Sequence, residues 1–188
     1  MGMVIVPLAG CGPLVARPQP PALHDLGGGR ASLAVGLALR DIEVAAPSWL
    51  EGTAMYYRLA YRSATRLDFY GGSRWSAPPV EMLSVALRRM LEPAGPVSAC
   101  ALQVQVDEFV QSFDQPDSAR ALIGGRASLV DTRARRVLAR LPFSISEPGA
   151  GADAAGGAAA FSRGVDALGG RLADWLNSPE LKALRDDC

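Results

Sequence analysis

Leu102, Val104 and Val106 alternate with Gln103, Gln105 and Asp107. A period of two places one aliphatic row and one polar row on opposite sides of an extended backbone. A half-buried strand of this kind needs an apolar layer against one side and water on the other, which commits the chain to a sheet with a covered face. Phe109 and Val110 break the phase, and a β-bulge is expected there.

The other apolar runs fit around this strand. Ser32 to Val44 alternates with Leu33, Val35, Leu37 and Leu39 on one face and reads as a strand ended by Pro47. Ala54 to Arg62 alternates again, with Met55, Tyr57, Leu59 and Tyr61 assigned to the core, and a turn at Ser63 to Thr65 leads into RLDFY to make a hairpin. Val80, Leu83, Leu87 and Met90 then recur at helical spacing over Pro78 to Leu91, with the prolines in the first turn, where no internal N–H donor is needed. Pro93, Gly95 and Pro96 stop that helix. Ala121 to Val130 and Val137 to Ile145 flank the turn DTRAR as a second hairpin, and Pro142 assigns the latter strand to an edge or a strand end. EPGAGADAAGG reads as a loose connection. Phe161, Val165, Leu168, Leu172 and Trp175 then form the stripe of a last long helix, weakened by Gly164, Gly169 and Gly170 and held by packing. Ser178-Pro179 caps a final short turn. The expected fold is α/β, bordering on α+β: a single mixed, largely antiparallel β-sheet packed by two main helices. A chain of 188 residues, 49% apolar and 20% charged, is enough for one such domain.

The N-terminus has a different character. Residues 1–11 run MGMVIVPLAGC, an apolar stretch closing on small residues like the end of a secretory signal, without its basic start and half of its apolar region, as if truncated. Leu8-Ala9-Gly10-Cys11 resembles the bacterial lipobox, whose cysteine is alkylated with diacylglycerol. A first core strand interrupted at Pro7 is the alternative. Residues 12–30 hold Pro13, Pro18, Pro20, Pro21 and Gly27-Gly28-Gly29 and read as a stiff spacer ending in a flexible joint. The expected organisation is thus signal and lipobox over 1–11, tether over 12–30, domain over 31–178 and a short helix or tail over 179–188. Gly12 lacks the Asp that would retain an enterobacterial lipoprotein in the inner membrane, so the outer membrane is the expected address.

Chemistry is sparse. Nineteen basic residues balance nineteen acidic ones, leaving no net field for nucleic acid. The only histidine, His24, falls in the tether, which leaves histidine-dependent triads and metal sites without their centre. Three cysteines, at 11, 100 and 188, show no metal-ligand spacing. A Cys100–Cys188 disulfide is open in an oxidising compartment, although a buried thiol plus a free terminal one is the expectation. Neither a catalytic residue, a metal nor a cofactor is expected. Arg133, Arg135 and Arg136 belong to a basic cluster that is either a solvated turn or a face for anionic headgroups or an acidic partner.

The run from Leu37 to Leu91 resembles the signature region of the ABC-type transport auxiliary lipoprotein family, which includes paraquat-inducible protein C. A strand is followed by Pro47 and Leu50, then Tyr56-Tyr57-Arg58, an aromatic at Tyr70, Arg74-Trp75 before Pro78-Pro79, and the helix positions Leu83, Leu87 and Leu91. Trp49 stands where a Tyr is expected. The resemblance extends more loosely over residues 23 to 177. It implies a lipoprotein on the periplasmic side of the bacterial envelope, anchored through Cys11. There it would dock with an Mce-domain membrane protein and the ABC permease and ATPase of an Mce or Pqi type system, which moves phospholipid or other hydrophobic cargo. Self-association into a homo-oligomer is compatible with that role. Trp75, Tyr57 and Arg58 admit two readings: architectural, with Trp75 filling the corner between hairpin and helix, or contacts with a partner or headgroup. The rival functions are a lipid-binding shuttle, an envelope hydrolase with an unrecognised site, and an envelope scaffold unrelated to transport.

Overall fold

A computed structural model describes residues 19–37, 39–91 and 98–184. The lipobox with Cys11, the first part of the tether and the helix stop at Pro93, Gly95 and Pro96 lie outside these residues. The elements run β1 (Ala22–His24), β2 (Asp41–Ala45), β3 (Ala54–Leu59), β4 (Asp68–Trp75), α1 (Pro79–Met90), β5 (Cys100–Gln115), β6 (Ser118–Asp131), β7 (Arg136–Pro148), α2 (Ala154–Leu176) and α3 (Pro179–Lys182). All seven strands form one mixed sheet, the α/β arrangement expected.

The alternating segment became its spine. β5 pairs along its length with antiparallel β6, while its other side is divided between two parallel neighbours, β2 against Ala101–Gln105 and β3 against Gln111–Phe113. The phase break is a bulge: the register shifts between Val106 and Glu108, after which Phe109, Gln111 and Phe113 replace Leu102, Val104 and Val106 as the helix-facing row. Gly125 sits opposite, and a Cβ there would lie 2.1 Å from the Gln105 carbonyl oxygen, a separation only hydrogen can satisfy. Pro142 is in β7, at the sheet edge, where a missing donor leaves no ladder bond unmade.

Both main helices cover one face. α1 packs near β2, burying Leu83, Ala86, Leu87 and Met90, and α2 lies on β6 and β7 with Phe161, Val165, Leu168 and Leu172 buried. Trp75 meets Phe109 and Phe161 edge-on at 5.7 and 5.5 Å, and the two phenylalanines stack at 4.1 Å. This aromatic knot joins β4, β5 and α2.

Four expectations need correction. Residues 22–30, assigned to the tether, belong to the folded body: β1 adds in parallel to β4, Leu26 is buried, and Arg30 binds α2. Among the described residues of the Ser32 to Val44 run, the strand β2 begins only at Asp41. Val35, Leu37 and Leu39 are buried as expected, but around them the backbone bonds are made elsewhere: Asn177 accepts from Gly36 N–H and donates to the Ala34 carbonyl, while Leu33 N–H donates to Met90. The loose connection ends early, because Asp153 caps α2 by accepting from Gly156 N–H at 2.7 Å, so Ala154 to Gly157 are helical. Cys100 is fully buried, yet it is disulfide-bonded rather than a free thiol.

Candidate docking surface

The sheet has a second face that the helices leave open. Strand register assigns it. Arg58, Ser112 and Arg120 stand in one cross-strand row, and Tyr57, Gln111 and Ala121 in the next, so Tyr57 and Arg58 point to opposite sides. Tyr57 goes to the helix side. There it lies 4.8 Å from the Tyr70 ring and 5.9 Å from Phe113, above the buried Gln111. The Tyr70 hydroxyl donates to Gln111 Oε1 at 2.9 Å, and Gln111 Nε2 donates to the Asp153 carbonyl at 3.1 Å. Gly157 of α2 leaves the space: a Cβ there would meet Gln111 Oε1 at 2.3 Å. Desolvation, with Asp153 and Tyr57 adding to it, pushes the Tyr70 hydroxyl up to about 12.

A raised folded-state pKa makes a contribution present below pH 10 and lost as the pH climbs toward 12, because the unfolded tyrosine ionises first. The wild-type protein is therefore expected to lose stability over that window, and Tyr70→Phe to flatten the loss. Urea unfolding at a series of pH values between 9 and 12 measures both slopes, and identical slopes would remove Tyr70 as their source.

On the open face, Arg58 Nη1 lies 3.0 Å from Glu108 Oε1, both side chains partly in water. Beside this pair lie Tyr56 and Phe69, direct cross-strand partners, and the short 3-10 turn Ser48–Leu50 brings Trp49 edge-on to Tyr56 at 5.4 Å. Phe69 is 57% exposed and Trp49 36%. Trp49, Tyr56 and Phe69 were not among the contact residues expected from the sequence; the alternation of AMYYRL and the DFY run located the strands but not which face the helices cover.

The remaining candidates are elsewhere. Trp75 is 2% exposed and belongs to the core, which corrects its reading as a contact residue. Arg133, Arg135 and Arg136 sit on the β6–β7 turn, where Asp131 accepts from Arg133 and Ala134 N–H and Arg135 takes a φ of 53°. Asp131 pairs with Cys100 and Arg58 with Ser112, so twelve residues of β5, about 40 Å, separate the turn from the aromatic set. The sequence candidates thus make no single site.

Among the described residues no group of His, Cys, Asp and Glu could hold a metal, and no helix is long and apolar enough to cross a membrane. His24 is half-buried on β1, within the folded body. A cleft between Asp25–Arg30 and the Met82, Val85 and Ala86 side of α1 measures about 230 Å³, and a second on the other side of Arg30, lined by Leu33, Met90 and Gly170, about 360 Å³.

A Xanthomonas campestris protein of 21% identity has a similar crystal structure, with a TM-score of 0.64 over 83% of this chain and 91% of its own. A second, described as an uncharacterized protein, matches at 16% identity and the same TM-score over 85% of this chain and all of its own. Both share the fold. No curated protein sequence matches the chain. The sequence model of the ABC-type transport auxiliary lipoprotein component matches residues 30–173, from the arginine that fastens β1 to the last turns of α2, and the chain belongs to that family.

Proposed function

We propose that this chain is a docking subunit of an Mce or Pqi type ABC transport system, fastened by an acyl group on Cys11 to the outer membrane and facing the periplasm. It recognises the Mce-domain membrane protein of the system and catalyses nothing. Family membership supports an auxiliary part in transport. The observation that carries docking is the exposed pair Trp49 and Phe69, joined through the half-buried Tyr56, beside the Arg58–Glu108 pair. Large aromatics next to arginine are the side chains that dominate binding energy at protein interfaces.

Direct binding of the soluble domain to the periplasmic part of the Mce-domain protein tests this. Trp49→Ala with Phe69→Ala is expected to weaken the complex about 30-fold, equivalent to roughly 2 kcal/mol, at nearly unchanged melting temperature. Wild-type affinity in the double variant would move the interface elsewhere, and no binding by the wild type would remove the partner.

A further inference from the structure

The sheet ends on one side in β7, thirteen residues long, and on the other in β1, with three. An uncovered edge as long as β7 is a template for strand pairing, and a crowd of identical chains makes a second copy the first occupant to consider. We infer that Arg163 and Arg171 of α2 are autoinhibitory clamps which, together with Pro142 and Pro148, close this edge to strand addition by a second copy of the chain. The inference stands apart from the docking proposal, which concerns the open face.

The ladder fixes which backbone groups point outward. Gly149 N–H donates to the Ala119 carbonyl at 2.8 Å, and β7 pairs with β6 without a register shift from Ala139 to Pro148. In an antiparallel ladder alternate residues turn both their backbone groups to the same neighbour. The odd-numbered residues from Leu141 to Glu147 therefore bond to β6, while Pro142, Ser144, Ser146 and Pro148 turn theirs to the outside. Both prolines lack an N–H to offer there. Their carbonyls are occupied as well: Arg171 Nη2 donates to the Pro142 carbonyl at 3.3 Å, and Arg163 Nη2 donates to that of Pro148. α2 lies on β7, so Arg163 reaches the end of the strand and Arg171, about two turns later, its middle. Each residue that withholds a donor is thus also the one whose acceptor an arginine fills.

Ser144 and Ser146 remain open. A two-fold axis at Ile145 would set Ser144 of one copy against Ser146 of another, and their backbone groups would match. The next rung would set Pro142 against Pro148. Neither has a donor and both carbonyls are taken, so the ladder ends on each side of the serines. A pairing that short does not hold two strands together. With valine at 142 and 148 and alanine at 163 and 171, the same register would continue through both proline rungs.

Amide exchange at Ser144 and Ser146 of the full chain, followed as the protein is concentrated, tests the closure. In the wild type both amides are expected to exchange at a rate independent of concentration. In the fourfold variant Pro142→Val, Pro148→Val, Arg163→Ala, Arg171→Ala they are expected to slow about tenfold or more as copies pair. The proline pair Pro142→Val, Pro148→Val, with both arginines kept, is expected to behave as the wild type. Amides of β5 and β6 report whether each variant is folded. Slowing of Ser144 and Ser146 in the wild type would show an edge already open, and a folded fourfold variant without slowing would show an edge closed by something else. Slowing in the proline pair equal to that in the fourfold variant would remove the arginines as clamps. Wild type and proline pair alone can therefore overturn the inference, whether or not the fourfold variant folds.

Discussion

Trp75→Ala is expected to destabilise the fold by about 4 kcal/mol, within the 3–5 kcal/mol range for deleting a buried large aromatic. For a protein of this size that lowers the melting temperature by roughly 8–16 °C. The indole is 2% exposed and contacts Phe109 and Phe161, so its loss opens a cavity where β4, β5 and α2 meet, and it removes one edge-to-face partner from each phenylalanine. Relaxation is restricted, because Trp75 N–H donates to the Thr53 carbonyl while His24 pairs alongside, pinning the backbone on both sides. The contrast is Trp49, 36% exposed on the open face, where truncation is expected to shift stability by less than about 1 kcal/mol. Thermal and urea unfolding of the two single variants separates an architectural tryptophan from a surface one. Equal melting temperatures for Trp75→Ala and wild type would return Trp75 to the list of contact residues.

What the sequence disclosed follows from how local each signal is. The alternation of β5, its phase break and the edge position of the Pro142 strand depend on period and proline chemistry alone, and each appears in the fold as read. The failures involve long-range partners. Three residues of β1 are too few for any periodicity, and its docking depends on β4 some fifty positions later. Val35, Leu37 and Leu39 mimic a strand, but the ladder partners are replaced by the side chain of Asn177. Gly156 and Gly157 have poor helix propensity, and tertiary packing overrides it, since Gly157 is the residue that admits Gln111. There Asp153 three residues before Gly156 was a legible cap signal. The aromatic set on the open face was the least legible part. Tyr57 and Arg58 are neighbours in sequence and opposites in space, and Trp49 lies in a 3-10 turn between strands, outside every periodic run.

Arg30→Ala is expected to release residues 22–30 from the body without unfolding the rest. The Arg30 side chain is 8% exposed and donates to the carbonyls of Leu26 and Gly27 and to both the carbonyl and hydroxyl of Ser162, and its Nε lies 2.6 Å from Asp166 Oδ1. Removing one partner of a buried ion pair costs about 3–5 kcal/mol, and the half-exposed Asp166 places this case at the lower limit, about 3 kcal/mol. Those contacts all join the segment to α2 or to itself, so the loss falls on the opening of β1 and Leu26 rather than on the aromatic core. Hydrogen exchange at Ser76, whose N–H donates to the His24 carbonyl, is expected to accelerate about a hundredfold, while amides in β5 and β6 keep their protection. Arg30→Lys is expected to rescue little, because an ammonium group cannot satisfy carbonyls on two elements and Asp166 at once. Unchanged exchange at Ser76 in Arg30→Ala would show that β1 holds to β4 without the arginine.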